Sequence, residues 1–277
     1  MFKNYLTKST ILSFFILFGS TTTLRAQDEE TPAPAADFEP TRSLFFGINA
    51  NGLKDFGKQA NFFRGYNEPF GLIELLAYPT VKSELYAKTN YNFTLAEYPS
   101  PMIYNFGIGA GLNVMYMLPD VNLILNGSFT KLTTAGIFTL SATNPSNPSG
   151  DDIIKTESIS GIERRTWIKA GLQLRNEINA RNDFFVELAP VLYVQRALKN
   201  EVNIEGSTYS LLVNYQGYLP QKTSYTGYGF NLGFGIQTMF LKNKLTQVGV
   251  NFTGSKLNMV EVKGLNYAAE LYLSVFL

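Results

Sequence analysis

The stretch YGFNLGFGIQTMF, from Tyr228 to Phe240, places a large apolar side chain at nearly every second position. The residues between them are small or polar, mostly glycines and amides. Successive side chains of a β-strand point to opposite faces, so this segment is predicted to be a strand with one apolar face and one small or polar face. Such a strand fits a soluble sandwich that buries the apolar face, or an outer-membrane barrel whose apolar face meets lipid.

The composition narrows the class of protein. Charged residues make up 16% of the 277 residues, against roughly 25% in soluble domains. The chain contains no Cys and no His, which excludes disulfides, thiol chemistry and any mechanism that needs an imidazole base. Without these ligands for zinc and haem, we expect no metal site and no cofactor. The formal net charge of +1 gives no reason to expect a nucleic-acid partner.

The N-terminal residues have the three-part layout of a secretory signal peptide. Two lysines flank a short apolar run, and Ala26 completes a plausible cleavage site. We expect residues 1–26 to be a signal peptide, acidic and Pro-rich residues 27–41 to be a flexible periplasmic tail, and residues 42–277 to form the folded domain. No later stretch approaches about 18 uninterrupted apolar residues, so no membrane-spanning helix is predicted. The expected location is the bacterial outer membrane, after secretion and removal of the signal peptide.

The segment MIYNFGIGAGLNVMYML, from Met102 to Leu118, alternates in the same way. Its apolar face carries Tyr104 and Tyr116, and Tyr228 and Phe240 have the same separation in the first segment. At about 3.3 Å per residue and a tilt near 40°, that separation is roughly 30 Å along a membrane normal. An outer-membrane barrel needs an apolar band of about 25 Å with aromatic girdles at both edges. These four aromatic residues are therefore predicted to lie at the membrane interfaces.

The pattern predicts an all-β, membrane-spanning, up-and-down antiparallel β-barrel, with ten strands favoured and eight or twelve also open. The predicted strands are 43–50, 69–78, 82–95, 101–118, 121–141, 163–178, 183–199, 223–241, 245–256 and 265–277. Short turns and longer loops alternate between them, as expected for the periplasmic and extracellular ends of such a barrel. Pro190 cannot donate to a strand ladder, so a bulge is expected there.

The chain resembles single-chain bacterial outer-membrane β-barrel proteins of the small, plugged-lumen type. The N-terminal segment, the amphipathic strands and the final strand NYAAELYLSVFL carry the resemblance. The last strand of such proteins usually ends in an aromatic residue that the barrel-assembly machinery reads, whereas this chain ends in Leu277 after Phe276. The resemblance implies an architecture and the assembly machinery as a partner, and it does not imply a particular activity.

The polar faces of the predicted strands would line a lumen that contains charged side chains. We predict a lumen network that comprises Glu84, Lys88, Lys169, Arg175, Glu177, Glu187 and Glu270. Two interpretations stay open, namely ion pairs that stabilise a filled interior or a charged path for a small solute. A barrel of about eight strands is just filled by its own side chains, which favours the first.

Glycines on the same faces indicate how the interior is filled. The predicted lumen glycines are Gly107, Gly109, Gly111, Gly229, Gly233 and Gly235. Glycine lets bulky side chains from the far wall cross the interior. The candidates for this filling are Tyr86, Phe185, Tyr193, Tyr272 and Phe276. Without such filling, a pocket open at one end would result.

The loops contain candidates for binding. The tyrosines considered for a protein or glycan partner are Tyr209, Tyr215, Tyr218 and Tyr225. Tyrosine supplies a large, rigid contact area with a polar tip, although the same rings could simply pack on each other in a strand extension. The basic residues considered for contact with lipopolysaccharide phosphates or a partner are Lys54, Lys58 and Arg64, although their segment could simply fold over the mouth of the barrel.

These features together predict a non-enzymatic outer-membrane protein that acts through extracellular loops or protein partners, as an adhesion, assembly or secretion accessory. The alternative is a narrow channel or carrier for a small solute. The expected partners are outer-membrane lipid and lipopolysaccharide, the barrel-assembly machinery, and a protein or glycan at the outer loops.

Overall fold

A computed structural model of the chain describes residues 43–67, 69–146, 152–214, 221–241, 244–258 and 264–277. The predicted signal peptide and periplasmic tail lie outside these residues. Within the described part, no helix is both long and apolar enough to cross a membrane.

The described residues form ten β-strands, two α-helices and one 3-10 helix. The strands are β1 (Leu44–Asp55), β2 (Asn92–Glu97), β3 (Gly107–Met117), β4 (Val121–Thr143), β5 (Ile153–Asn179), β6 (Asn182–Ile204), β7 (Ser207–Ser210), β8 (Ser224–Leu241), β9 (Lys244–Leu257) and β10 (Asn266–Phe276). The helices are the 3-10 helix Lys58–Arg64, α1 (Leu72–Ala77) and α2 (Pro79–Thr89), all of which lie between β1 and β2.

Eight of the strands close a ring in the order β1-β3-β4-β5-β6-β8-β9-β10, and β10 pairs back onto β1. Each strand of the ring is antiparallel to both of its neighbours. The other two strands are not part of the ring. Of these, β2 pairs with β4, and β7 pairs with β6. Closure leaves the ring without exposed strand edges. The predicted up-and-down barrel is confirmed, with eight strands in the ring.

The strands predicted at 69–78 and 82–95 are wrong, because these segments form α1 and α2, and only β2 follows them. Buried Leu72, Leu75 and Leu76 have the spacing of a helix face. Pro79 starts α2, where its missing N–H costs nothing, and Asn90 ends it with a left-handed φ of 62°. These helices belong to the residue 56–106 connection between β1 and β3, which we call the cap.

The strands β4, β5 and β6 extend well beyond the rest of the ring. The loop predicted at 142–162 is mostly strand, since β4 ends at Thr143 and β5 begins at Ile153. The extra length lies at the same end of the barrel as the cap, opposite the tight turn between β5 and β6. We call these extensions the wall: Thr133–Thr143, Ile153–Ile162 and Ala197–Ile204.

Within β4 the apolar side chains change from the outer face to the inner face. Below Lys131 the exposed outward side chains are Leu123, Leu125 and Phe129, and the buried inward ones are Asn122, Ser128 and Thr130. Above Lys131 the buried inward side chains are Leu132, Phe138, Leu140 and Ala142. The register with β5 is unbroken from Val121 to Ala142, so the change lies in the sequence and not in a backbone irregularity. The lower part of the strand is suited to lipid outside, and the upper part to water.

Pro190 does not produce the expected bulge. The register between β6 and β8 runs through the Pro190–Phe230 pair without a shift. On the other side of β6, Ala189 and Pro190 have no register partners in β5. The register between β5 and β6 is the same before and after these two residues. The missing N–H therefore interrupts one ladder locally, and the proline ring is exposed on the outer face.

Candidate functional site

The lower lumen is filled by a polar network between the strands. Lys169 of β5 forms a buried ion pair with Glu270 of β10. The Glu270 carboxylate also accepts hydrogen bonds from Asn51 Nδ2 at 2.8 Å and from Asn251 Nδ2 at 3.0 Å. This ion pair is fully enclosed by neutral donors, as a buried charge pair needs to be.

A second carboxylate lies in the same network. Glu187 of β6 is 4% exposed and accepts hydrogen bonds from Gln173 Nε2 and Asn231 Nδ2, both at 3.0 Å. The network borders a cavity of about 30 Å³, whose lining includes Lys169, Glu187 and Glu270. A cavity of this size has room for about one or two water molecules. The lower lumen is therefore a packed polar core with a small cavity.

An apolar cluster closes the end of the lumen that lies opposite the cap. Its buried members are Phe45, Met115, Met117, Leu245 and Phe276. Ile124 and Met239 pack against them. This plug lies below the polar network, at the end where the chain enters β1 and leaves β10.

A charged cluster lies at the top of the barrel. Arg165 of β5 is 1% exposed and forms ion pairs with Asp55 at the end of β1 and with Glu163. The Tyr104 hydroxyl donates to Glu163, and the Arg165 guanidinium lies 5.2 Å from the centre of the Tyr104 ring. Burial, and after it the charge of Glu163, holds the pKa of Tyr104 well above its ordinary value of 10.0. Tyr104 therefore stays neutral and ties the cap to the barrel.

The cap has an apolar core of its own above this cluster. Phe62 and Phe63 of the 3-10 helix meet edge to face at 5.2 Å, and Leu72 and Leu75 of α1 are fully buried. These side chains belong to one cluster with Leu132 and with the inward face of the wall, which contributes Phe138, Leu140, Ile159, Val202 and Ile204. The wall and the cap thus bury each other's apolar faces.

Aromatic rings inside the barrel lie over glycines of the adjacent strand. The register pairs are Tyr193 with Gly227, Phe185 with Gly235, Tyr272 with Gly249 and Phe276 with Gly47. A Cβ on Gly235 would lie 2.4 Å from the Phe185 ring. The rings were expected to cross from the far wall, but they come from the neighbouring strand. Tyr86 does not contribute, because it is exposed on α2.

The other predicted lumen glycines also face crowded surroundings. A Cβ on Gly109 or Gly233 would lie 2.2 Å from the side-chain oxygen of Asn51 or Asn251, respectively. A Cβ on Gly107 would lie 2.6 Å from a Leu132 methyl and from the Lys131 carbonyl oxygen. A Cβ on Gly111 or Gly229 would lie 2.4 Å or less from a carbonyl oxygen of the adjacent strand. Small size is required at all these positions.

The structure brings together only part of the predicted lumen network. Lys169, Glu187 and Glu270 lie inside the lower lumen, as described above. Glu84 and Lys88 do not, because they are exposed on α2, and Glu177 is exposed near the β5–β6 turn. Arg175 lies at the rim opposite the cap, where it pairs with Asp183 at 3.3 Å and donates to the Leu118 and Pro119 carbonyl oxygens.

The predicted interface aromatics divide in a similar way. Tyr116 and Tyr228 face outward and are exposed. Tyr104 is 1% exposed, so its assignment to the interface is wrong. The outward pattern of β3 starts only at Phe106, and β3 itself at Gly107. The side chain of Phe240 lies outside the described residues.

The predicted binding residues of the loops are largely engaged within the protein. Tyr209 and Tyr225 are buried in the cap–wall core and are not exposed for a partner, while Tyr215 and Tyr218 lie outside the described residues. Lys54 Nζ donates to the Tyr104 carbonyl at 2.6 Å, and Arg64 Nε donates to the Pro99 carbonyl at 2.8 Å. Lys58 is exposed.

The strongest ionic cluster escaped prediction. Glu163 and Arg165 are two positions apart, but Asp55 lies 110 positions from Arg165 in the sequence. The one available signal is the alternation of β5, which places Glu163, Arg165 and Lys169 on the same inward face. Within the described residues there is no group of three or more side chains that could hold a metal ion.

No protein-family model and no curated protein sequence matches the chain. Among solved structures, it is similar to Neisserial surface protein A, with a TM-score of 0.43, 12% identity, and coverage of 85% of this chain and 97% of that chain. It is also similar to Ail, the attachment invasion locus protein of Yersinia pestis, solved with the heparin analogue sucrose octasulfate (TM-score 0.35, 12% identity, 84% and 96% covered). The predicted antiparallel barrel is confirmed by the strand pairing of the chain itself, which closes a ring of eight strands.

Proposed function

We propose that this protein is a non-enzymatic outer-membrane barrel that acts through its folded extracellular part and does not conduct solutes. The observation that carries the proposal is the filling of the lumen at three levels. These are the apolar plug, the polar network around Lys169 and Glu270, and the core shared by the cap and the wall. A conducting barrel needs a continuous hydrated path, whereas the cavity lined by Lys169, Glu187 and Glu270 has a volume of only about 30 Å³.

The outward apolar band supports a location in the outer membrane, reached after removal of the predicted signal peptide. Its exposed side chains include Leu112, Leu123, Leu125, Phe129, Ile168, Leu172, Leu192, Phe230, Phe234, Val250, Phe252 and Leu271. Lipid would cover this band, and assembly would require the barrel-assembly machinery. The cap and wall then stand outside the cell, where the stretch from Lys131 to Thr143 of β4 rises roughly 30 Å at a tilt near 40°.

The cap offers a rigid surface that suits a protein or glycan. The Arg64 guanidinium lies 4.4 Å from the centre of the Tyr66 ring, which in turn lies 4.0 Å from the Tyr98 ring. Tyr66 remains 43% exposed. A stacked cation and two tyrosines present amphipathic contact area with little conformational freedom to lose on binding.

Conductance measurements test the closed lumen. The full-length protein, refolded and identified as a barrel by its heat-shifted gel band, should give no steady openings in a planar bilayer. Single-channel openings whose ion selectivity changes in Lys169→Ala would overturn the proposal in favour of a narrow channel.

A binding assay tests the role of the cap. Bacteria displaying the protein should adhere to an immobilised glycan or matrix protein, and the triple variant Arg64→Ser, Tyr66→Ser, Tyr98→Ser should lose that adhesion. The matched control replaces an exposed cation and an exposed tyrosine of α2, as Lys82→Ser with Tyr86→Ser. Equal adhesion by all three proteins, or by cells without the protein, would contradict a role for this surface.

A further inference from the structure

We infer that Lys131, Arg164 and Arg196 form a binding site for the phosphate groups of a lipid in the outer leaflet. The inference rests on the proposed outer-membrane location and is independent of the role proposed for the cap. The three cations lie on three adjacent strands and face outward into solvent or lipid.

The strand register places the three side chains in one row. Lys131 of β4 is the register partner of Arg164 of β5, and Arg164 is the partner of Arg196 of β6. Neighbouring strands lie about 4.8 Å apart, so the row spans about 10 Å. Like charges directly opposite each other on a sheet are destabilising. The row therefore has a built-in repulsion that an anion would relieve.

No carboxylate within the described residues relieves it. Two cations of the wall do have acidic partners, in the Lys155–Glu205 and Lys199–Glu201 ion pairs. The residues that continue the row on the neighbouring strands are neutral, namely Ile108 of β3 and Ser224 of β8. The compensating negative charge has to come from another molecule.

The depth of the row favours a lipid over a protein. Directly below it on the same outer face lies the row Phe129, Thr166 and Val194, where the apolar band begins. The row also coincides with the level at which the apolar face of β4 changes from outside to inside. Lipid phosphates lie at that boundary, and the planar guanidinium groups of two arginines match phosphate oxygens in a bidentate manner.

Lys256 shows what an isolated interface cation looks like. It also faces outward on the outer side of the barrel, and its register partner is Tyr228 rather than a second cation. A single snorkelling lysine needs no specific ligand. This makes Lys256 the matched control for the row.

Equilibrium binding tests the site. The folded full-length protein in neutral detergent is titrated with fluorescent bisphosphorylated lipid A, with its dephosphorylated form, and with inorganic phosphate as competitor. Each cation near an anionic lipid surface contributes roughly fivefold to the binding constant, so the triple Lys131→Gln, Arg164→Gln, Arg196→Gln variant should bind about a hundredfold more weakly. Lys256→Gln should bind as the wild type does, and added salt should weaken lipid A binding by both of these proteins far more than by the triple variant.

A stability measurement separates this role from a merely structural one. In neutral detergent the triple variant should melt at a higher temperature than the wild type, because the repulsion is gone, and in the presence of lipid A at a lower one. Unchanged lipid A affinity in the folded triple variant would overturn the inference. So would an equal loss in Lys256→Gln, or equally tight binding of the dephosphorylated lipid. None of these results bears on the conductance or adhesion tests.

Discussion

The two halves of this molecule apply the same strand periodicity in opposite senses. In the lower barrel, apolar side chains face outward and amides, carboxylates and Lys169 fill the interior. In the wall, apolar side chains face inward onto the cap, and the outer face is largely polar. Both halves share β4, β5 and β6.

The difference follows from what covers the outside. Where lipid would cover the barrel, apolar side chains are satisfied outside, and the interior holds a hydrogen-bonded polar network with one ion pair, an apolar plug and aromatic rings that lie over glycines. Where water covers the wall, the hydrophobic effect drives the apolar side chains inward, and a second layer is needed to cover them. The cap supplies that layer. In a strand such as β4, the position at which the apolar side chains change from the outer face to the inner face therefore indicates the membrane boundary.

The largest effect is expected at the junction of the two halves. Arg165→Met leaves Asp55 and Glu163 buried without a counter-charge, and removal of one partner from a buried ion pair costs about 3–5 kcal/mol. The free energy of unfolding of the refolded protein in vesicles, from urea titration, measures the loss. Adding Asp55→Asn and Glu163→Gln should restore most of it, and a loss below about 1 kcal/mol in the single variant would show that the cluster does not join the halves.

A loss of stability of similar size, confined to the cap, is expected when a buried ring of the cap is removed. Phe63→Ala removes a fully buried ring that packs against Phe62, Tyr104 and Gly161, at about 3–5 kcal/mol of local stability. Limited proteolysis should then cleave the cap while the heat-shifted band of the barrel persists. Loss of the band together with the cap would mean that the two halves unfold as one unit.

The fit between rings and glycines is a test of the lower half. Gly235→Ala places a Cβ 2.4 Å from both the Phe185 ring and the Val248 carbonyl oxygen, and such overpacking costs about 1–3 kcal/mol. The control is Gly127→Ala on the outer face of β4, where no other atom lies within 4 Å of the added Cβ. Urea unfolding should separate the two variants. Equal stabilities would show that the interior yields to the added methyl group.

The smallest effect is expected from Tyr104, whose ionisation changes the stability of the protein only at high pH. Its pKa is raised by burial and then by Glu163, with Asp55 adding to the rise and Arg165 opposing it. The unfolded tyrosine ionises near pH 10 whereas the folded one stays neutral, so this contribution to stability is complete below pH 10 and is lost as the pH rises above it. Proteolysis of the cap should therefore accelerate more steeply above pH 10 in the wild type than in Tyr104→Phe. Identical pH profiles would contradict the buried position of the hydroxyl.

The barrel was predictable because lipid-facing strands repeat one simple pattern. The segment from Tyr228 to Phe240 alternates throughout and is β8, and the turn at Leu118–Asp120 falls where β3 ends. The helices were not predicted, although Leu72, Leu75 and Leu76 have the spacing of a helix face. The change of parity in β4 is visible in the sequence, where apolar residues move from odd positions up to Phe129 to even positions from Leu132.

The candidate site was less predictable because its contacts join distant strands. Parity alone places Lys169, Glu187 and Glu270 on inward faces, but it does not say that Glu270 pairs with Lys169 while Glu187 is held by two amides. The row of Lys131, Arg164 and Arg196 depends on strand register, which the bulge between Ile162 and Glu163 shifts by one residue. Only the three-dimensional pairing brings these cations together.

One pair of substitutions tests the central claim that the membrane boundary crosses β4 at Lys131. Leu125 and Ile137 lie on the same outer face of β4, at 49% and 65% exposure, on either side of Lys131. A lysine on the lipid face near the midplane costs about 2–4 kcal/mol and one in water almost nothing. Urea unfolding in vesicles should therefore show a loss of about that size for Leu125→Lys, and a change within about 0.5 kcal/mol for Ile137→Lys. Equal losses in the two variants, or a larger one for Ile137→Lys, would contradict the placement of the boundary.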